Sequence, residues 1–273
     1  MSFSAKVASP LATVVTVCRN PGSRVDLTAA SVALQARADV EWLVIDGASD
    51  DGTPDRAEAW RAKIPGPVRI VSEPDAGIYD AMNKGLRLAS GKWLLFLNAG
   101  DTFFDEEALA ALLVEAADGV ELVTGRVRFA DPSDGFVAEA GDAFSWDGVA
   151  HGRVPPHPAC LYDRSAVLRA GGYNEAAGIA ADTKLTLQVG AGGRTRHVAR
   201  VIAIYTMDGV SSRFDWRWRV HRDKARAIRA AAPAWVWARY RRRWPIEALR
   251  ATASYLLRCA GLLGPWRALK RAL

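Results

Sequence analysis

The sequence predicts an α/β protein built on a largely parallel sheet and followed by a basic helical extension, and three observations carry that prediction. Short β-branched or apolar runs alternate with amphipathic segments of about ten residues, the pattern of βαβ units. Several runs end in polar loops, and in open α/β sheets the crevice beyond the carboxyl strand ends is where ligands bind. The charge is divided: residues 1–212 hold 20 Lys and Arg against 27 Asp and Glu, a balance of −7, whereas residues 213–273 hold 16 against 3, a balance of +13.

With 273 residues, 50% hydrophobic and 24% charged, the chain is long enough for one large core or a core with an appendage. Cys18, Cys160 and Cys259 are far apart and odd in number, against a disulfide framework and against zinc-site spacing. The N-terminus lacks a basic segment followed by an apolar run, and no apolar stretch approaches the ~18 residues that span a bilayer. A reducing, cytoplasmic compartment is expected.

Residues 13–18 read as the first buried strand; Ser23 and Asp26 then make a capping-box pattern ahead of Leu27, Ser31 and Leu34, which share a helical face. Residues 41–46 are the second strand, closed by the polar turn 47–52 before Thr53 as N-cap and Pro54 at the first helical position. Residues 68–72 are the third strand, and Ile78, Met82 and Leu86 give the next helix its buried face until Ser90-Gly91 stops it. An apolar strand follows, ending in the acidic turn 98–101, with Asp105 capping the helix beyond. Residues 120–129 and 136–139 form a hairpin around the turn 131–135, and 140–158, rich in Gly and Pro, read as a long surface loop. Residues 197–205 are a final strand, and 206–212 a Gly/Ser-rich loop suited to a lid or a linker.

The first turn, Arg19-Asn20-Pro21-Gly22-Ser23, offers neither G-x-G-x-x-G nor a Walker lysine, so a diphosphate would need another grip. Four stretches in order carry a resemblance: Thr16-Val17-Cys18-Arg19-Asn20, residues 44–53, residues 72–85, and Leu95-Phe96-Leu97-Asn98-Ala99-Gly100-Asp101. Together they resemble the successive motifs of family 2 glycosyltransferases with the GT-A fold, over roughly residues 12–212. The resemblance implies a nucleotide-sugar site along Thr16, Arg19, Asp46, Asp75, Tyr79, Asp80, Asn83, Lys84, Asn98, Ala99 and Gly100, with Asp46 on the base. Taken singly, each is equally an N-cap, a turn former or a solvated charge. Their order weighs against that.

The family's Asp-x-Asp motif appears here within residues 98–101, leaving Asp101 as the carboxylate for Mn2+ or Mg2+, ions that take oxygen ligands and keep several waters. Pro156-His157-Pro158 resembles the family's His-Gln segment, which puts His157 on the acceptor side, with Pro158 in place of the glutamine. Residues 171–175 and Ala181-Asp182 resemble the paired motif that supplies the catalytic base, and Asp182 is the match. At a helix N-terminus a carboxylate stays ionised, ready to take a proton from a sugar hydroxyl. A single displacement predicts inversion.

The last sixty residues hold six of the ten tryptophans, interleaved with arginine, and Ile246, Leu249, Ala253, Leu256, Leu257, Ala260 and Leu263 share a helical face. Such a segment suits an anionic membrane surface. Packing on the acidic main domain, or a homodimer seam, is the alternative; nucleic acid is not favoured, because no recognition motif accompanies the charge. The expectation is therefore a domain over 1–212 and an extension over 213–273. It would be a metal-dependent inverting glycosyltransferase using a UDP-sugar, or a GDP- or dTDP-sugar, peripheral on the inner face of the membrane. Its acceptor would be a lipid-linked saccharide or oligosaccharide in surface polysaccharide or glycolipid assembly. Two alternatives stand beside it: a catalytically silent relative that recruits partners, and a sugar-nucleotide nucleotidyltransferase, which would want a longer basic glycine-rich loop after the first strand.

Overall fold

The structure is a computed structural model that describes residues 9–131, 135–207 and 214–259. Its elements run β1 (Ala12–Cys18), α1 (Arg24–Leu34), β2 (Val40–Asp46), α2 (Thr53–Glu58), β3 (Val68–Ser72), α3 (Ile78–Leu88), β4 (Trp93–Phe96), β5 (Thr102–Phe103), α4 (Ala108–Val114), β6 (Val120–Asp131), β7 (Phe136–Ala140), α5 (Trp146–Ala150), β8 (Cys160–Asp163), α6 (Arg164–Arg169), α7 (Ala181–Gly192), β9 (Arg194–Thr206), α8 (Phe214–Ala231) and α9 (Ala234–Cys259). One mixed sheet runs β3-β2-β1-β4-β8-β6-β9-β5, with β7 hairpinned onto β6. β1 to β4 are mutually parallel, and β8 is antiparallel to both of its neighbours, β4 and β6. The sheet therefore changes character between β4 and β8.

Alternation along β1 sends Val14 to a layer shared with Trp42, Leu95, Ala29 of α1 and Leu109 and Leu112 of α4, and Val15 to Met82 and Leu86 of α3 and Leu185 and Val189 of α7. With both faces covered, the parallel strands read as continuous apolar runs. Gly85 lets α3 press onto β1, since a Cβ there would sit 2.5 Å from Val15 Cγ1.

Four local expectations are corrected. In α1 the buried side is Val25, Thr28, Ala29, Ser31 and Val32, while Leu27 and Leu34 are exposed, because small residues bring the helix closer to the sheet than leucines would. Ser23 makes no side-chain cap, and Asp26 is drawn away to Trp60 Nε1 (2.9 Å) and Arg56. Ile78 is exposed at the start of α3. Thr53 does not cap α2; its own N–H donates to Asp51 Oδ1 at 3.1 Å.

The expected surface loop over 140–158 instead contains α5, capped by Ser145, whose Val149 and Ala150 are buried with Leu187, Ala225, Ile228, Val236 and Tyr240. Its covering comes from α8 and α9, some 75–90 residues downstream, which a local reading cannot register. Residues 132–134, 208–212, 260 and 263, named above in the turn, the loop and the helical face, lie outside the described residues. Among the described residues, no helix is long and apolar enough to cross a membrane.

Candidate active site

The parallel strands deliver the loops 19–22, 46–52, 72–77 and 97–101 to one edge of the sheet. The first two are zipped together: Asn20 N–H donates to Ser49 Oγ (2.7 Å), Asp50 N–H to Asn20 Oδ1 (3.0 Å), and Gly22 N–H to Asp51 Oδ2 (2.6 Å). The Thr53 hydroxyl, with backbone N–H groups, holds the Asp51 carboxyl below its usual range. The join is polar throughout.

Asp46 does not present its carboxylate to the crevice. It is fully buried, and its oxygens accept from Ser72 Oγ (2.6 Å), Ser49 N–H (2.9 Å), the Ser49 hydroxyl and Cys18 Sγ (3.6 Å). Its work is to shape the 47–51 loop; burial, and then this neighbouring charge, raise the Cys18 thiol well above its usual value. Thr16 is likewise internal, buried in β1 with its hydroxyl accepting from Trp42 Nε1 at 3.0 Å. Both side chains are thus closed off from solvent and spent on partners within the protein.

Arg19 and Asp75 do converge. A Cβ on Gly47 would lie 2.3 Å from Asp75 Oδ2 and 3.4 Å from Arg19 Cβ, so the Asp75 carboxylate and the base of the Arg19 side chain both pack over the bare Gly47 backbone. Gly47 is not in the left-handed region, so Gly47→Ala adds no backbone strain but displaces the Asp75 carboxylate. If Asp75 accepts a hydrogen bond from a bound nucleotide, its displacement is expected to lower nucleotide affinity roughly 10–100-fold with little change in thermal midpoint. Titration calorimetry on both proteins checks this, and equal affinities would remove Asp75 from the donor wall.

Lys84 and Asp80 brace the third loop from behind. Lys84 Nζ donates to Pro74 O (2.6 Å) and pairs with Glu73 (3.1 Å) and Asp80 (3.7 Å), while Asp80 Oδ2 accepts from Ala76 N–H (3.0 Å). Asn83 is turned inward, its amide clamping the backbone of Tyr173 at both ends: Nδ2 donates to Tyr173 O and Oδ1 accepts from Tyr173 N–H, each at 2.9 Å. The expectation that Asn83 lines the donor path is corrected accordingly. Tyr79 stacks on Tyr173 and donates to Ile179 O at 2.7 Å, tying α3 to the segment before α7.

The fourth loop is organised by Thr28, a residue the sequence reading passed over; its signal is a hydroxyl on the sheet-facing side of α1. Thr28 Oγ1 donates to Asp101 O (2.7 Å) and accepts from Gly100 N–H (3.0 Å), while Asp101 N–H donates to Asn98 O (2.9 Å). Gly100 takes φ +103°, which only glycine adopts freely. Asp101 is 5% exposed, and Asn98 Oδ1 is buried without a hydrogen-bond partner. An orphaned amide oxygen and a carboxylate three residues apart on one turn are oxygen ligands of the kind a hard cation takes. Among the described residues no group of three or more His, Cys, Asp or Glu could hold a metal, so such an ion would take its other ligands from water and substrate.

Asp182 is the second residue of α7, half-buried, with Oδ1 accepting from Thr183 N–H (2.6 Å) and its backbone oxygen accepting from Thr186 Oγ1 (2.9 Å). Burial first, and then the Asp182 charge, push the Tyr79 and Tyr173 hydroxyls far above their usual values. Burial pushes Cys160 up to about 12. Phe96, the last residue of β4 and two before Asn98, packs against both His157 (5.5 Å between centroids) and Tyr173 (5.2 Å).

His157, expected on the acceptor side, is buried and bonded to a neighbouring tyrosine. It is 8% exposed, and its Nε2 meets Tyr173 Oη at 2.8 Å. Burial lowers its pKa below the ordinary 6.5 although Asp182 pulls the other way, so the folded state holds a neutral imidazole. Below about pH 6.5 the unfolded chain binds a proton that the folded chain resists, so stability falls with pH through this window. His157→Gln, which keeps a partner for Tyr173, is expected to flatten that fall. Thermal midpoints measured from pH 8 to 5 decide it, and identical slopes would discard the assignment.

A parallel half-sheet, β3-β2-β1-β4, joined through the antiparallel β8 to a mixed half in which β6 and β9 run parallel, is the GT-A glycosyltransferase architecture. Mannosyltransferase PcManGT from Pyrobaculum calidifontis, in complex with GDP-Man and Mn2+, superposes with a TM-score of 0.65 over 96% of this chain and 81% of that one, at 20% identity. S. aureus TarS 1–349, in complex with UDP-GlcNAc, superposes at 0.64 over 84% and 71%, at 17% identity. The chain belongs to glycosyl transferase family 2, whose profile matches residues 13–156. The PGL/p-HBAD biosynthesis glycosyltransferase of Mycobacterium bovis (strain BCG / Pasteur 1173P2) is 30% identical over 207 residues, 74% of this chain and 79% of the relative. An uncharacterized glycosyltransferase of Mycobacterium tuberculosis (strain ATCC 25618 / H37Rv) is 36% identical over 185 residues, 66% of this chain and 69% of the relative. The protein is a glycosyltransferase, as the ordered motifs implied.

Proposed function

We propose that this glycosyltransferase moves a sugar from a nucleotide-sugar donor to a hydroxyl of a lipid-linked saccharide, with inversion, at the cytoplasmic face of the membrane. The observation that carries the reading is the half-buried Asp182 at the start of α7, set among neutral Tyr79, Tyr173 and His157 beside the end of β4, which leads into Asn98 and Asp101. Asp182 takes the proton as the acceptor oxygen attacks the anomeric carbon; the new C–O bond forms as the bond to the diphosphate breaks, and the nucleoside diphosphate leaves. Arg19 and Asp75 position the donor, and the loop held by Asp46 backs them. Asp101 and Asn98 would hold Mn2+ or Mg2+, which when bound supplies positive charge for the leaving diphosphate. The relative named for PGL/p-HBAD biosynthesis supports a role in a biosynthetic glycosylation, and the neighbours solved with GDP-Man and UDP-GlcNAc support a nucleotide-sugar donor. A UDP-sugar is the leading candidate, with GDP- and dTDP-sugars next.

A thermal-shift screen of UDP, GDP and dTDP, each with Mn2+, tests the reading. One nucleotide at a hundredfold excess over its Kd is expected to stabilise the fold by about 2.7 kcal/mol, a rise of roughly 5–10 °C. Asp101→Asn is expected to lose the Mn2+-dependent part of that shift. No shift with any nucleotide would favour the silent, recruiting alternative.

A further inference from the structure

We infer that the outward face of α9 is a docking surface for an anionic lipid bilayer, with the helix lying in the plane of the interface. The helix has two unlike sides. Val236 and Tyr240 are fully buried, and Trp237 and Trp244 are half-buried, the latter donating from Nε1 to His221 O at 3.2 Å. These four face α5 and α8. At about 100° per residue, Trp235, Arg239, Arg242, Ile246, Leu249 and Ala253 fall within roughly 40° of one line on the opposite side. All six are exposed, Trp235 by 50%, Ile246 by 52% and Leu249 by 69%.

That stripe extends over roughly 27 Å of helix. Its apolar members are too many and too well aligned to be ordinary scatter on a soluble surface. The charge names the occupant. Residues 234–259 carry six arginines and one glutamate. Arg239 is committed in part to Asp147 at 2.9 Å, but Arg241, Arg242 and Arg243 are exposed, with no carboxylate partner among the described residues. Packing against the acidic main domain therefore does not account for them. A basic helix with an exposed apolar line and a tryptophan at one end matches an anionic interface, where apolar side chains enter the acyl boundary and arginines meet headgroup phosphates.

The inference deepens the proposed lipid-linked acceptor and rests on that reading for its purpose, because α8 joins α9 to the reaction centre. Asp223 of α8, 5% exposed, packs against Gly178, four residues before Asp182: a Cβ on Gly178 would lie 2.4 Å from Asp223 Oδ2. A bilayer under α9 would thus sit against the same helical unit that seats the segment carrying Asp182.

Co-sedimentation of the full chain with vesicles tests this without any sugar present. Binding to phosphatidylglycerol/phosphatidylcholine vesicles, weakened by salt, and none to pure phosphatidylcholine is the expected result. Replacing Arg241, Arg242 and Arg243 together with Gln is expected to weaken binding roughly a hundredfold. Ile246→Glu with Leu249→Glu is expected to reduce it to background, and all positions are exposed, so thermal midpoints should be unchanged. Equal binding to both vesicle types, or full binding by both variants, overturns the inference. So does a concentration-dependent dimer that the same substitutions dissociate, or displacement of bound vesicles by duplex DNA at equal charge. The nucleotide shift of the preceding section, measured on these variants, separates the two readings: its persistence without vesicle binding sinks the docking surface alone.

Discussion

Asp182→Asn is expected to lower transfer by roughly 10²–10⁴-fold while leaving nucleotide binding within about twofold of the wild type. The amide keeps the side chain's shape and can still accept from Thr183 N–H, so the α7 terminus retains its geometry. What it loses is the ability to take a proton from the acceptor. The loss should therefore fall on kcat with matched donor and acceptor, with the nucleotide-dependent thermal shift as the control. Removing the Asp182 charge also removes one of the influences that raise the Tyr79 and Tyr173 hydroxyls, but burial, the larger cause, keeps both protonated. No compensating base appears among them. Transfer by the variant at the wild-type rate would take Asp182 out of the chemistry.

Asn83→Ala is expected to be the costliest substitution on the donor side of α3, through the fold rather than through contact with substrate. It strips the partners from both the N–H and the C=O of Tyr173. Leaving two such groups unpaired costs about 2–4 kcal/mol, a fall of roughly 5–15 °C in the thermal midpoint for a chain of this size. Tyr173 also carries the His157 hydrogen bond and the Tyr79 stack, so activity should fall at temperatures well below the new midpoint. Asn83→Asp preserves the acceptor for Tyr173 N–H and loses only the donor. About half the stability loss is expected for it; a midpoint equal to the wild type's in both variants would show that the clamp is dispensable.

Some of the site was legible before any coordinates and some was not, and the division follows chain distance. The four loops, the short helix between residues 78 and 88, and Asp182 at a helix start were all readable because each is encoded within a dozen residues. Thr16, Asp46, Asn83 and His157 sit inside the motifs that the resemblance marks, yet each points inward. Thr16 is answered by Trp42, Asp46 by Ser72 and Cys18, Asn83 by Tyr173, and His157 by Tyr173. Two of those partners lie 26 residues away and one lies 90. Thr28 and Gly47, which shape the crevice, drew no attention because a helix threonine and a turn glycine are unremarkable locally.

The order of residues alone determined the strand-helix alternation, the parallel run of β1 to β4, the family, and the change from an acidic body to a basic tail. Apolar side chains announce their burial through periodicity, so they needed nothing more. Tertiary structure decided which carboxylates, amides and hydroxyls face the crevice and which support it, and which side of α9 is left bare. A polar group has the same local preferences whether it is satisfied by the protein or waits for a ligand. Only the arrival of a partner from elsewhere in the chain distinguishes the two.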